Sequence, residues 1–403
     1  MSFTKKFNKI FTFPTQLLRL WLVGFGIGTA LSAYTLISAV QFLHLLGPGE
    51  LGTAFLEAGL LTWVVFALYN TLHTYRPLAQ VAQIFSWIIT AWLGFLCLQS
   101  LILPNDLPPS LAYWAFLANF PIVALYQAIF WSMSEKILTA QELKAYRLVL
   151  NLGTASAQII VWILIAYVFA YATVLKIGYL IATGGAFLTA ALYSYYPYKL
   201  PHLQKLTINA QAIKVNNKLG SLFGQVYPNR LIWFVFLGAL LAVQLDYLFW
   251  LVVNGKYAEY DDKKLANFVT FLASIWAVTT FVSFLIKASL YTILSKQYGV
   301  RTVLLAMPIL LFFFLSILSI LGGVSPISFV PENAFIFILL VLCEQIREVL
   351  NEAFQLPGYR LYLLPLEDEL RADTQIKLDG FIAGAPLVLF GVVSRLQIRF
   401  CRL

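Results

Sequence analysis

"AFIFILLVLCEQIREVLNEAFQLPG", residues 334–358, begins as a membrane-spanning helix and ends as something else. Ala334 to Leu342 is wholly apolar, but Glu344, Arg347, Glu348 and Asn351 follow before Pro357 and Gly358 stop the helix. At 100° per residue these four lie at about 0°, 300°, 40° and 340°, inside one arc of about 100°. Ile346, Val349 and Leu350 face elsewhere. Arg347 is three residues from Glu344 and four from Asn351, a spacing that lets side chains pair along the helix. Charges inside a bilayer are costly, so a one-sided stripe belongs against a cavity or a second helix and not against lipid.

The rest of the chain is as apolar as the start of that helix. Hydrophobic residues make up 61% of 403, charged residues 11%, and mean hydropathy is +0.81. Soluble domains carry about 25% charged residues, so lipid is the main solvent of this protein. The formal charge of +9 would suggest nucleic acid in a soluble chain, but here the basic residues are scattered at helix ends and no nucleic-acid partner is expected. Cys97, Cys343 and Cys401 have neither metal-ligand nor redox spacing and read as packing residues. The basic start, "MSFTKKFNKIFTFPTQLLRL", precedes an apolar run too long for a signal peptide, so it leads into a retained first helix.

About 20 mostly apolar residues cross the hydrocarbon core. That length picks out eleven segments, roughly 19–45, 50–72, 80–103, 110–134, 146–171, 176–197, 229–253, 265–293, 300–322, 331–355 and 377–396. "GPGE", "PNDLPP", "GGVSPISFVP" and "QLPGYR" reverse the chain between them, and the runs are too long for barrel strands. The expected class is an all-α polytopic membrane protein. With the N-terminus in the cytoplasm, 19 of the 27 basic residues fall on the inner side, 7 fall outside and Arg347 lies within a helix. That bias supports a multi-pass protein of the plasma (inner) membrane with its N-terminus cytoplasmic.

"YKLPHLQKLTINAQAIKVNNKLGSLFGQVYPN", 198–229, is the longest polar stretch, basic and free of acids. It follows six helices and precedes five. The expected organisation is a six-helix lobe at 1–197, a basic cytoplasmic linker at 198–228 and a second lobe at 229–403, the layout of a two-lobed major-facilitator bundle. With twelve helices as the pattern, the second lobe lacks its last one. "RLQIRFCRL" then lies outside against the positive-inside bias. The expectation is a lipid-facing groove where a sixth helix would pack, filled by lipid or by a partner helix.

Further polar residues stand in these helices. "VQLDYLFW" sets Gln244 and Asp246 about 16 residues into the seventh helix. Asp246 is either a substrate- or coupling-ion-binding carboxylate or the partner of a buried base such as Lys287. Glu57 lies near the outer end of the second helix; Tyr69, Asn70 and Gln127 are hydrogen-bonders for a cavity or for helix–helix contacts. Phosphate loops, dinucleotide fingerprints and zinc-protease or hydrolase motifs are missing, and His44, His73 and His202 have no nucleophile or metal partner. No catalytic residue, cofactor or metal site is expected.

Three stretches together resemble the ATP/ADP carrier family, with loose motifs in matching order through most of the chain. "FWSMSEKILTAQELKAYRLVLNLGTASAQ", 130–158, is similar to the family's fourth-to-fifth helix region, though poorer in glycine. "DYLFWLVVNGKYAEYDDKKLANFVTFLASIWAV" resembles its seventh and eighth helices, with Asp246, Tyr247 and the "LANF" entry. "REVLNEAFQLPGYRLYLLPLEDELRADTQIKLDGF" resembles its tenth-to-eleventh connection, with Arg371 and an Asp-Gly at 379–380. The resemblance implies a carrier of a small solute, anionic or nucleotide-like, working by alternating access. In that reading Glu344, Arg347, Glu348 and Asn351 bind substrate or gate the cavity, and Asp246 with Tyr247 contributes from the seventh helix. Arg147 and Lys377 stand at the cytoplasmic mouth, where they draw in anions. The competing reading is a non-transporting scaffold with a carrier fold, in which the charged stripe is a salt-bridged lock between the lobes.

Overall fold

The computed structural model describes residues 15–103, 107–138, 140–167, 171–199, 226–257, 262–322, 334–355, 374 and 377–401. The first half holds six helices: α1 Thr15–Leu46, α2 Leu51–Tyr75, α3 Leu78–Ile102, α4 Pro109–Ile137, α5 Ala140–Tyr167 and α6 Tyr171–Lys199. The second half holds α7 Val226–Tyr257, α8 Asp262–Ala288, the short α9 Leu290–Gln297, α10 Gly299–Gly322, α11 Ala334–Leu350 and α12 Ala383–Cys401. Single π turns continue α11 at Asn351–Gln355 and lead into α12 at Lys377–Ile382. Apart from α9, eleven long helices are described, five of them in the second half. Nine of the described helices are long and apolar enough to cross a bilayer.

The reversals follow local chemistry. Gly47 takes φ 75°, a left-handed conformation that suits glycine, and Pro48 follows it. Pro77 and Pro108 stand at the entries to α3 and α4. Pro121, Pro308 and Pro386 lie within helices, as membrane helices tolerate. One boundary departs from expectation. The eighth segment, expected to run to 293, turns at Ser289 and splits into α8 and α9. No glycine or proline marks that break, so periodicity alone passes over it. Of the linker expected at 198–228, residues 200–225 lie outside the described residues.

Helix packing gives each half its shape. In the first half α1 runs between α4, α5 and α6, and α6 packs along α3. Glycines permit the close crossings: a Cβ at Gly26 would come within 2.6 Å of Thr189 on α6, and one at Gly28 would collide with the Thr154 carbonyl on α5. Among the described residues the halves meet chiefly along two pairs, α2 with α12 and α5 with α8. In the second half, Trp233 and Leu237 of α7 and Leu305, Ile309 and Phe312 of α10 are exposed. These apolar faces have lipid as their solvent.

Candidate functional site

A cavity of about 610 Å³ lies between the halves, lined chiefly by α1, α4, α5, α7, α8 and α11. With the long helices alternating in direction, the short α9 set apart, the face where α1 begins serves as a reference: α11 and α8 end there, and α5 and α7 start there. The first half lines the cavity with neutral polar groups. Asn119 accepts a hydrogen bond from Thr35 (2.8 Å), Asn151 donates to the Arg147 carbonyl (3.0 Å), and Gln127 and Gln158 also line the wall. Arg147 is the cation on this side, its guanidinium 5.5 Å from the Trp131 ring centre.

The second half brings the charges. Arg347 reaches three carboxylates: Asp246 on α7 at 2.9 Å, Glu348 at 3.1 Å, and Glu344, which accepts from Nε at 3.0 Å and again from Nη2. The Arg347 and Glu344 side chains are each 8% exposed, whereas Asp246 and Glu348 are 35% and 38% exposed. One buried guanidinium therefore holds one buried and two cavity-facing acids. Lys287 of α8 pairs with Glu352 at 3.4 Å, and Gln345 accepts from Thr279.

Of the expected site residues, Glu344, Arg347, Glu348, Asn351, Asp246 and Arg147 all line this one cavity. Tyr247 does not: it packs on Phe390 of α12 at 5.0 Å, because one residue along a helix turns the side chain by about 100°. The Lys377 side chain lies outside the described residues. Asp246 pairs with Arg347, while Lys287, weighed as its partner, takes Glu352 instead. Sequence reasoning missed Asn119, Tyr126, Gln158, Gln345 and Gln355 as cavity residues. Their signal was a polar side chain in an apolar helix, which does not distinguish a cavity wall from a helix–helix contact.

Toward the opposite face the halves close on each other. Trp162 of α5 meets Trp276 of α8 at 5.8 Å, and Trp276 meets Trp250 of α7 at 6.0 Å. Thr270 donates to the Ala166 carbonyl at 3.4 Å, and Ser274 donates to the Tyr167 hydroxyl at 3.3 Å. Between α2 and α12, a Cβ at Gly391 would fall 2.6 Å from Leu56 Cβ, and one at Gly59 2.7 Å from Val388. Beyond them Arg395 lies 3.9 Å from Glu57, which accepts from Tyr113 at 2.9 Å.

A two-half helical bundle with a central polar cavity can be compared with known carriers. No known family model matches the sequence, and no curated protein does. Among solved structures, an aspartate-to-alanine variant of the nucleoside transporter NupG superposes with a TM-score of 0.60 at 15% identity, over 94% of this chain and 90% of that one. The unsubstituted NupG structure gives 0.54 at 16% identity, over 94% and 89%. The fold is the all-α, two-lobed helical bundle of those structures, of the major-facilitator type. The chain is accordingly a multi-pass membrane protein. These comparisons lend nothing to the finer resemblance to ATP/ADP carriers.

Proposed function

We propose that this protein carries a small uncharged solute of the nucleoside class across the membrane by alternating access. The observation that carries the reading is the charge balance of the cavity. Among the described lining residues, Asp246, Glu344, Glu348, Glu352 and Asp379 face Arg147, Lys287 and Arg347, five carboxylates against three cations. Both second-half cations are already engaged by acids. A polyphosphate would enter an acidic cavity without a free cluster of bases, which argues against nucleotide exchange. Aromatic rings and amides line the remaining wall, and these suit a flat heterocycle bearing hydroxyls. The similarity in fold to NupG points the same way.

The acid excess gives Asp246 and Glu348 a second role. They face the cavity while sharing one guanidinium with Glu344, so a proton taken up there neutralises a surplus charge and couples transport to a proton gradient. The protein would sit in the plasma (inner) membrane with its N-terminus in the cytoplasm, following the distribution of basic residues.

Uptake by proteoliposomes tests the reading. Radiolabelled uridine and adenosine should accumulate faster under an inward proton gradient, and ATP and ADP should neither enter nor exchange. Nucleotide exchange without nucleoside uptake would refute it. Uptake of no solute from a panel of nucleosides, nucleobases and nucleotides would favour the scaffold reading instead.

A further inference from the structure

We infer that Tyr126 and Gln355 are the hydrogen-bonding groups that recognise the solute, one from each half; this rests on the carrier reading above. The cavity wall contains two kinds of buried polar side chain. Asn119, Glu344 and Arg347 are buried and have partners within the protein. The Tyr126 hydroxyl and Gln355 Oε1 are buried, line the same cavity and have no hydrogen-bond partner among the described residues. Buried polar atoms are nearly always paired, and an unpaired one destabilises the fold. Two in one cavity wall, on opposite halves, call for a ligand.

Their placement fits that role. Tyr126 is fully buried midway along α4. Gln355 closes the π turn that follows α11, one turn beyond the charged stripe. π turns of this kind recur at functional sites. The Gln355 amide rests against Gly238 of α7, where a Cβ would fall 2.7 Å from Nε2, so glycine at 238 leaves the room the amide occupies. In the present conformation neither unpaired atom is wetted, and a change of side-chain rotamer toward the cavity is what brings each to a solute. A phenol hydroxyl donates or accepts and an amide oxygen accepts. The matching solute is uncharged and offers at least one N–H or O–H donor, as a ribose hydroxyl or a nucleobase amine does.

The experiment uses the full chain purified in detergent, with uridine, cytidine and adenosine as probes by calorimetric titration, beside thermal melting. Tyr126→Phe and Gln355→Met remove only the polar atoms. Each should weaken binding about fivefold to tenfold, the range of one lost hydrogen bond, while leaving the melting midpoint unchanged or raised. Gly238→Ala, which displaces the amide, should resemble Gln355→Met. Affinities within twofold of the unsubstituted protein for both variants would overturn this inference and leave the carrier reading standing. A midpoint lowered by several degrees in both would also overturn it, because it would reveal partners within the protein. If the unsubstituted protein binds none of the three probes, both readings fall together.

Discussion

Arg347→Leu is the perturbation whose consequences the structure defines best. The substitution keeps an apolar side chain of fair size and removes the one cation shared by Glu344, Asp246 and Glu348. Breaking a buried ion pair from one side costs about 3–5 kcal/mol, because the abandoned charge stays buried. Only Glu344 is fully buried here; Asp246 and Glu348 are more than a third exposed to the cavity and can be rehydrated in place. The cost therefore falls near the lower end, about 3 kcal/mol, or a fall in melting midpoint on the order of 5 °C. Adding Glu344→Gln removes the stranded charge and should recover more than half of that loss, a strong non-additivity between neighbours. Transport should stay impaired in the double variant, since the carboxylate cluster no longer has its counter-ion. The assay is fluorescence-detected melting in one detergent, with uridine uptake beside it. A single variant melting within 1 °C of the unsubstituted protein, or a double variant no better than the single, would refute the assignment of Glu344 as the buried partner.

Three further outcomes follow. Gly391→Val puts atoms where Leu56 Cβ would already be 2.6 Å from a Cβ, so it should prise α2 from α12; a cysteine placed at Thr62, which lines the cavity from α2, should then label faster from the opposite face, and unchanged labelling would count against closure there. Trp276→Ala removes the ring that joins Trp162 to Trp250 and should speed solute leak through unenergised proteoliposomes several-fold without abolishing uptake. Arg395→Gln breaks a half-exposed pair at 3.9 Å, so stability should change by under about 1 kcal/mol even as opposite-face labelling of the Thr62 cysteine rises.

The helices were legible because membrane thickness sets their length. Eleven apolar segments of about 20 residues could be counted without knowing what they touch, and eleven long helices are described. The stripe on α11 was legible for a related reason: helical periodicity places Glu344, Arg347, Glu348 and Asn351 on one face wherever the helix sits. Contacts between helices were not legible. Nothing in "VQLDYLFW" shows that Asp246 meets Arg347, 101 residues away, instead of Lys287. The break at Ser289 is invisible in the sequence because the residue lacks a strong breaker signal, and the resemblance that groups Tyr247 with Asp246 does not show that its ring turns to Phe390 of α12. Burial with a missing partner, the property that singles out Tyr126 and Gln355, exists only once neighbouring helices are placed.

That placement also bears on how such a cavity switches faces. Among the described residues, Asp246, Glu344 and Glu348 around Arg347, and Glu352 beside Lys287, all belong to the second half. Under the proposed alternating access these ion pairs of the charged stripe move with one body and need not break as the halves rock. What separates at the opposite face in that reading is weaker: glycine-spaced contact between α2 and α12, the tilted Trp162–Trp276 pair, and the half-exposed Glu57–Arg395 pair. Contacts of that kind are individually small, which keeps opening accessible. Under such an arrangement the protein has little internal cause to close around an empty cavity. A solute that touches Tyr126 on one half and Gln355 on the other would supply it, since only a ligand with differential contacts in the two states can shift their balance.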